Sequence, residues 1–183
     1  WEWYQQSQAE AAVGPYEELK AGIQSGDISR ITGASDTLFK NYGQTSLATL
    51  GGMEAGKALF EKGELDAAKV RYQWVVDNGI KPEWPMMARL DLAQLLIDQE
   101  KFEEALAVLD VTPLPGFAAR FASAKGDVYW VSGKRDEARQ WYQAALKELA
   151  DPPAVISPER SKQLNETMKQ LVQYKLNAVG SVE

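Results

Sequence analysis

Cysteine and histidine are both absent from the 183 residues. Their absence removes disulfides, thiol nucleophiles, Ser-His and Cys-His dyads, and the usual zinc and haem ligand sets. Any chemistry would rest on carboxylates, Lys, Tyr, Ser or Thr, with at most a hard, oxygen-preferring cation. Long apolar runs are missing too: no stretch approaches the roughly 18–20 residues that cross a bilayer. A basic stripe is also lacking. Twenty basic residues face 26 acidic ones, for a net charge of −6. Nucleic-acid binding needs clustered Lys and Arg, so that class of partner is excluded. Lack of Cys fits any compartment and suits an oxidising one, where a stray thiol is a liability.

What is abundant is Ala and Leu, 24 and 18 residues, both strong helix formers. Gly and Pro fall in clusters: Gly14-Pro15, Gly26-Asp27, Gly51-Gly52, Pro82 with Pro85, Pro113 with Pro115-Gly116, and Pro152-Pro153. Helix-length segments of period about 3.6 run between them, and proline inside a helix loses a hydrogen bond and clashes, so the clusters mark joints. The pattern predicts an all-α chain.

The helices repeat. Taking Gly63, Glu100 and Gly133 as zero points, 37 and 33 residues apart, a small residue lies seven before each: Gly56, Ala93, Gly126. A large one lies four before: Leu59, Leu96, Tyr129. Alanine lies five after, at Ala68, Ala105 and Ala138, and a large residue nine after, at Tyr72, Leu109 and Tyr142. Small residues let two antiparallel helices approach closely, and large ones fill the groove beside them. A joint glycine supplies the left-handed turn that ends the first helix. Acidic residues then open the next helix (Glu64 and Asp66, Glu103 and Glu104, Asp136 and Glu137), complementing its positive end.

This spacing resembles the tetratricopeptide repeat. Three units match, and a degenerate fourth centres on Gly26-Asp27, with Ile31 where alanine is expected. The predicted fold is a tetratricopeptide-repeat superhelix of about four helix-turn-helix hairpins with a C-terminal capping helix. The expected segments are a leading helix at 1–13, a degenerate repeat at 15–45, repeats at 46–81, 82–112 and 116–150, and a cap at 157–179. Thr112-Pro113-Leu114-Pro115-Gly116 should truncate one second helix. In the cap, Ser157 is the expected N-cap and Pro158 the first helical residue. Leu164, Met168, Leu171, Val172 and Leu176 should form one apolar stripe that covers the last repeat.

Two patterns invite a chemical reading. Gly51-Gly52-Met53-Glu54-Ala55-Gly56-Lys57-Ala58 approaches a phosphate-binding loop, but lacks the terminal Ser or Thr and any preceding strand. Gly56 already serves as a packing residue. Carboxylate pairs such as Asp91 with Asp98, or Glu103 with Glu104, sit opposite the apolar stripe, where solvated charge is the default. No enzyme activity, cofactor or metal is expected. The expected working surface is the concave lining on the first helix of each hairpin. Its members are Met53, Glu54, Lys57 and Phe60, then Asp91, Gln94 and Ile97, then Arg120, Ser123, Asp127 and Trp130. This mixture suits protein binding, especially of extended or unfolded segments.

The order of parts resembles the YfgM family of ancillary SecYEG translocon subunits. The likeness rests on the opening Trp1-Glu2-Trp3-Tyr4-Gln5-Gln6 and on Gly63-Glu64-Leu65-Asp66-Ala67-Ala68. It rests also on Glu100-Lys101-Phe102-Glu103-Glu104-Ala105-Leu106, on Gly126-Asp127 with Gly133-Lys134-Arg135-Asp136-Glu137-Ala138, and on Leu171-Val172-Gln173-Tyr174-Lys175-Leu176-Asn177. The resemblance implies a bacterial single-pass inner-membrane protein whose repeat domain faces the periplasm. The implied partners are the SecYEG translocon, a PpiD-type membrane-anchored peptidyl-prolyl isomerase and unfolded secretory chains, within a chaperone network for secretory and outer-membrane proteins. The aromatic opening then reads as a helix leaving a membrane anchor upstream of Trp1, since Trp and Tyr concentrate at membrane interfaces. The alternative is an amphipathic start whose aromatics pack on the domain. Gly14-Pro15 departs from the family pattern and should kink or break the first helix. Rival readings are another envelope repeat scaffold such as an outer-membrane assembly lipoprotein, a cytosolic repeat cochaperone, or a hydrolase using carboxylates alone.

Overall fold

The joints organise the structure. In the computed structural model, which describes residues 2–150 and 158–180, Gly26, Gly63 and Gly133 adopt φ of 70°, 79° and 80°. At each of these joints the next N–H closes back five residues: Asp27 donates to the Gly22 carbonyl, Glu64 to Leu59 and Lys134 to Tyr129. The left-handed residue turns the chain so that this bond satisfies a carbonyl the helix would leave open. Glu100 makes the same turn at φ 58°, with Lys101 donating to the Leu96 carbonyl at 2.8 Å. It is the one non-glycine among the described residues with positive φ. A side chain there crowds the backbone, so Glu100→Gly should raise the unfolding free energy by about 0.5–1 kcal/mol, strain relief outweighing the extra freedom glycine gives the unfolded chain. Urea midpoints of the two proteins check this.

The described residues form ten helices: α1 (Glu2–Ala11), α2 (Val13–Ser25), α3 (Ile28–Tyr42), α4 (Ser46–Glu61), α5 (Leu65–Asn78), α6 (Glu83–Asp98), α7 (Phe102–Leu109), α8 (Ala118–Val131), α9 (Arg135–Ala150) and α10 (Pro158–Gly180). The pairs α4/α5, α6/α7 and α8/α9 lie within residues 46–81, 82–112 and 116–150, whereas α2 begins at Val13, before the expected start of the degenerate repeat at residue 15. The chain divides into two compact units, Trp1–Leu95 and Leu96–Glu183.

In the first unit Leu19, Ile31, Leu38, Leu59 and Val75 are fully buried. Each such side chain contributes about 1.5–3 kcal/mol of hydrophobic stabilisation relative to exposure. Gly51 and Gly52 sit in the middle of α4, where an added Cβ would lie 2.7 Å from Leu38 and 2.5 Å from Val75. The segment that approached a phosphate loop is therefore helix, and its glycines are there for close packing. The degenerate hairpin shows an exchange of volumes. Ile31 fills the alanine position while Gly22 replaces the large residue four before the joint, and a Cβ on Gly22 would lie 3.0 Å from the Ile31 nitrogen. Such volume-conserving exchanges keep a core filled.

In the second unit Ala122, Ala138, Tyr142, Ala145, Val172 and Val179 form one buried cluster, with Met168 and Leu176 packed on it. Here α10 covers α9, as a capping helix does. The apolar stripe is narrower than its sequence suggested. Leu164 and Leu171 are exposed by 55% and 48%, because the buried seam steps through Met168, Val172, Leu176 and Val179 and five residues spread over 164–176 exceed one helix face. The Ser157 cap lies outside the described residues.

Gly14 and Pro15, expected to kink or break the first helix, lie inside the first turn of α2, and the single residue between α1 and α2 is Ala12. Ala12 keeps helical angles, φ −71° and ψ −16°, donates to the Gln8 carbonyl and accepts from the Tyr16 N–H. Proline near the start of α2 is tolerated because the N–H it lacks is one a first turn leaves open. Trp3 on α1 is 79% exposed, whereas the Trp1 and Tyr4 side chains lie outside the described residues. No described helix is long and apolar enough to cross a membrane.

Candidate interaction surface

The repeat geometry places α4 against α5, α3 and α2. Between α2 and α4 lies a recess of about 320 Å³, floored by Ile23 and Ala58 and edged by Lys20, Glu54, Lys57 and Glu61. Tyr16 fixes one wall: its hydroxyl donates to Glu54 Oε2 at 2.9 Å. Burial first, and then the Glu54 carboxylate, push the Tyr16 pKa up to about 12. The phenol therefore stays neutral and keeps donating at physiological pH. Lys57 is exposed and 3.8 Å from Glu61, a surface pair weak enough to be exchanged for another partner. The recess thus offers an apolar floor with exchangeable charges of both signs at its rim. It can hold an extended chain segment.

Of the sequence-derived positions in this unit, Glu54 and Lys57 line the recess, Phe60 is half-buried, and Asp91 and Gln94 are exposed. Met53 is buried with 9% exposure. It belongs to the core, not to an open surface. Missing from the sequence-derived set were Tyr16, Lys20 and Ile23. The signal existed: they stand ten, six and three residues before Gly26, as Met53, Lys57 and Phe60 stand before Gly63.

In the second unit Ile97 and Ser123 are also buried, with 6% and 2% exposure. Arg120 is exposed, its guanidinium 5.5 Å from the Phe117 ring centroid. Trp130 is half-buried and lies 5.9 Å from the Arg135 guanidinium. Asp127 is already engaged on both oxygens. The Tyr142 hydroxyl donates to Oδ1 at 2.8 Å, and Lys175 of α10 donates to Oδ2 at 2.7 Å and to Ser123 Oγ at 3.3 Å. Burial and then Asp127 push the Tyr142 pKa well above the usual phenol range. The capping helix thus engages two of the positions that were expected to face a partner here, Ser123 and Asp127. Among the described residues no group of three His, Cys, Asp or Glu is placed to hold a metal ion.

The chain matches the family model described as a tetratricopeptide repeat-like domain over residues 1–181. It is 29% identical over 121 residues to the ancillary SecYEG translocon subunit of Neisseria gonorrhoeae, covering 66% of this chain and 58% of that protein. It is 22% identical over 152 residues to the ancillary SecYEG translocon subunit of Escherichia coli, covering 83% of this chain and 73% of that protein. The chain thus spans less than two thirds of the length of the gonococcal relative. Joints, paired small and large residues, and the family match converge, and the chain belongs to the tetratricopeptide repeat-like domain family, with similarity to the two ancillary SecYEG translocon subunits.

Proposed function

We propose that this chain is the interaction domain of an ancillary SecYEG translocon subunit, a non-catalytic scaffold that holds extended segments of secretory or outer-membrane proteins. The observation that carries this reading is the α2/α4 recess, apolar below and exchangeably charged above, in a chain whose curated relatives bear that description. The domain works on the periplasmic side of the inner membrane, tethered by a segment outside this chain, beside a PpiD-type isomerase. Shape and surface suffice for this task, which needs neither His nor Cys. A photocrosslinker at Ile23 or Lys57 of the membrane-tethered protein should capture translocon subunits or emerging secretory chains. The same probe at Lys69 on α5, used as a reference, should not. Equal capture from the two sides would overturn the assignment of the recess.

A further inference from the structure

The repeat register brings out a second site. In the first unit, Arg71 stands eight residues past Gly63 and Asp36 ten past Gly26. Their side chains meet at 2.7 Å, the arginine only 6% exposed, and the gap between α3 and α5 is closed. In the second unit the same register positions hold Trp141, eight past Gly133, and Asp110, ten past Glu100. An indole cannot pair with that carboxylate as a guanidinium does. A cation comes instead from α8. Lys125 stands eight residues before Gly133, where the two preceding hairpins carry Ala55 and Leu92, both fully buried.

The substitution leaves a gap. Lys125 Nζ lies 4.7 Å from the Trp141 ring centroid and 3.9 Å from Asp110 Oδ1, its side chain 17% exposed against 87% for the aspartate. A recess of about 270 Å³ opens here, lined by Leu106, Ala107, Asp110, Lys125, Tyr129 and Trp141. The Lys125 side chain is mostly covered, and its ammonium gains from a close, charge-assisted acceptor, which a largely solvated carboxylate at 3.9 Å supplies poorly.

We propose that this recess binds an acidic side chain of a peptide partner, its carboxylate on Lys125 and the neighbouring apolar side chain against Trp141 and Leu106. The exposed Asp110 rotates away as the ligand enters. Its charge at the mouth favours a singly charged carboxylate over a doubly charged phosphate, which it would repel more strongly. The site is separate from the α2/α4 recess and stands without the translocon reading.

The test uses the peptide acetyl-Gly-Leu-Glu-Phe-Gly-amide and its Gln counterpart, titrated into isotopically labelled protein. The Trp141 indole N–H signal, assigned with Trp141→Phe, is followed. The Glu peptide should shift that signal and bind about ten-fold more tightly than the Gln peptide, and Lys125→Gln should remove the difference. Asp110→Asn should tighten the Glu peptide about three-fold by removing the competing charge. Equal binding of the two peptides, or no shift at Trp141, would overturn the proposal. Should Lys125→Gln lose its fold, the exposed Asp110→Asn variant decides: unchanged or weaker binding counts against the site.

Discussion

Arg71→Ala lowers the unfolding free energy by about 3 kcal/mol, whereas Asp36→Asn, at the other end of the same ion pair, costs well under about 1 kcal/mol. The asymmetry follows from burial. The Arg71 side chain is 6% exposed and that of Asp36 64%, so solvent screens the charge attraction while the arginine stem is part of the core. Its Nε donates to Ser35 Oγ at 3.1 Å and its Nη2 to the Thr32 carbonyl at 3.0 Å, tying α5 to α3. Burial lowers the Arg71 pKa and Asp36 partly opposes that shift, which is the signature of a group whose desolvation outweighs its partner. Ser35 keeps its own bond to the Ile31 carbonyl after the arginine is removed, so the dominant cost is the vacated volume. Arg71→Met, which keeps much of the stem, should recover more than half of the loss. Urea unfolding followed by far-ultraviolet circular dichroism measures all three variants. Similar costs for Arg71→Ala and Asp36→Asn would show that the ion pair, not the packing, holds these helices.

The second large effect is Gly126→Ala, which destabilises by about 2 kcal/mol although alanine is the better helix former by about 1 kcal/mol. Overpacking wins because the new Cβ would lie 2.5 and 2.6 Å from two atoms of the Tyr142 ring, and that ring cannot retreat. It is 1% exposed, and its hydroxyl is held by Asp127, itself bound by Lys175. Gly56 faces Tyr72 in the same way, with ring atoms 2.7 to 3.0 Å from a built Cβ, so Gly56→Ala should behave alike. Leucine in place of the tyrosine ring would leave room for the new methyl group. Tyr142→Leu should therefore rescue Gly126→Ala, the double variant being more stable than the sum of the single costs. Purely additive losses would show that the glycine and the ring do not share this space.

The joints and the small-large pairs were legible because they are local or repeat at a fixed interval. Gly26, Gly63 and Gly133 carry the left-handed turn in their lack of a Cβ, and Ala68, Ala105 and Ala138 are all fully buried. Less legible was the outer surface of the first helices. Met53 was expected to face a partner, but α4 packs against three helices and leaves a narrower free strip than helical periodicity alone suggests; Ser123 on α8 is buried where Lys175 of α10 reaches it. Lys175 was invisible as a partner of Asp127 because 48 residues separate them and α10 lies outside the repeat pattern.

By itself, the sequence determined an all-α helical repeat, because period and capping are properties of the residues themselves. Only the tertiary structure decided which surface positions remain open. Lys20 and Ile23 join Glu54 and Lys57 at one recess, Lys175 closes Asp127, and Arg71 and Lys125 give opposite outcomes at related joints. Such decisions depend on which helix faces meet across the fold. A fixed spacing along one helix names a face, but the neighbouring helices determine whether water or a partner can reach it.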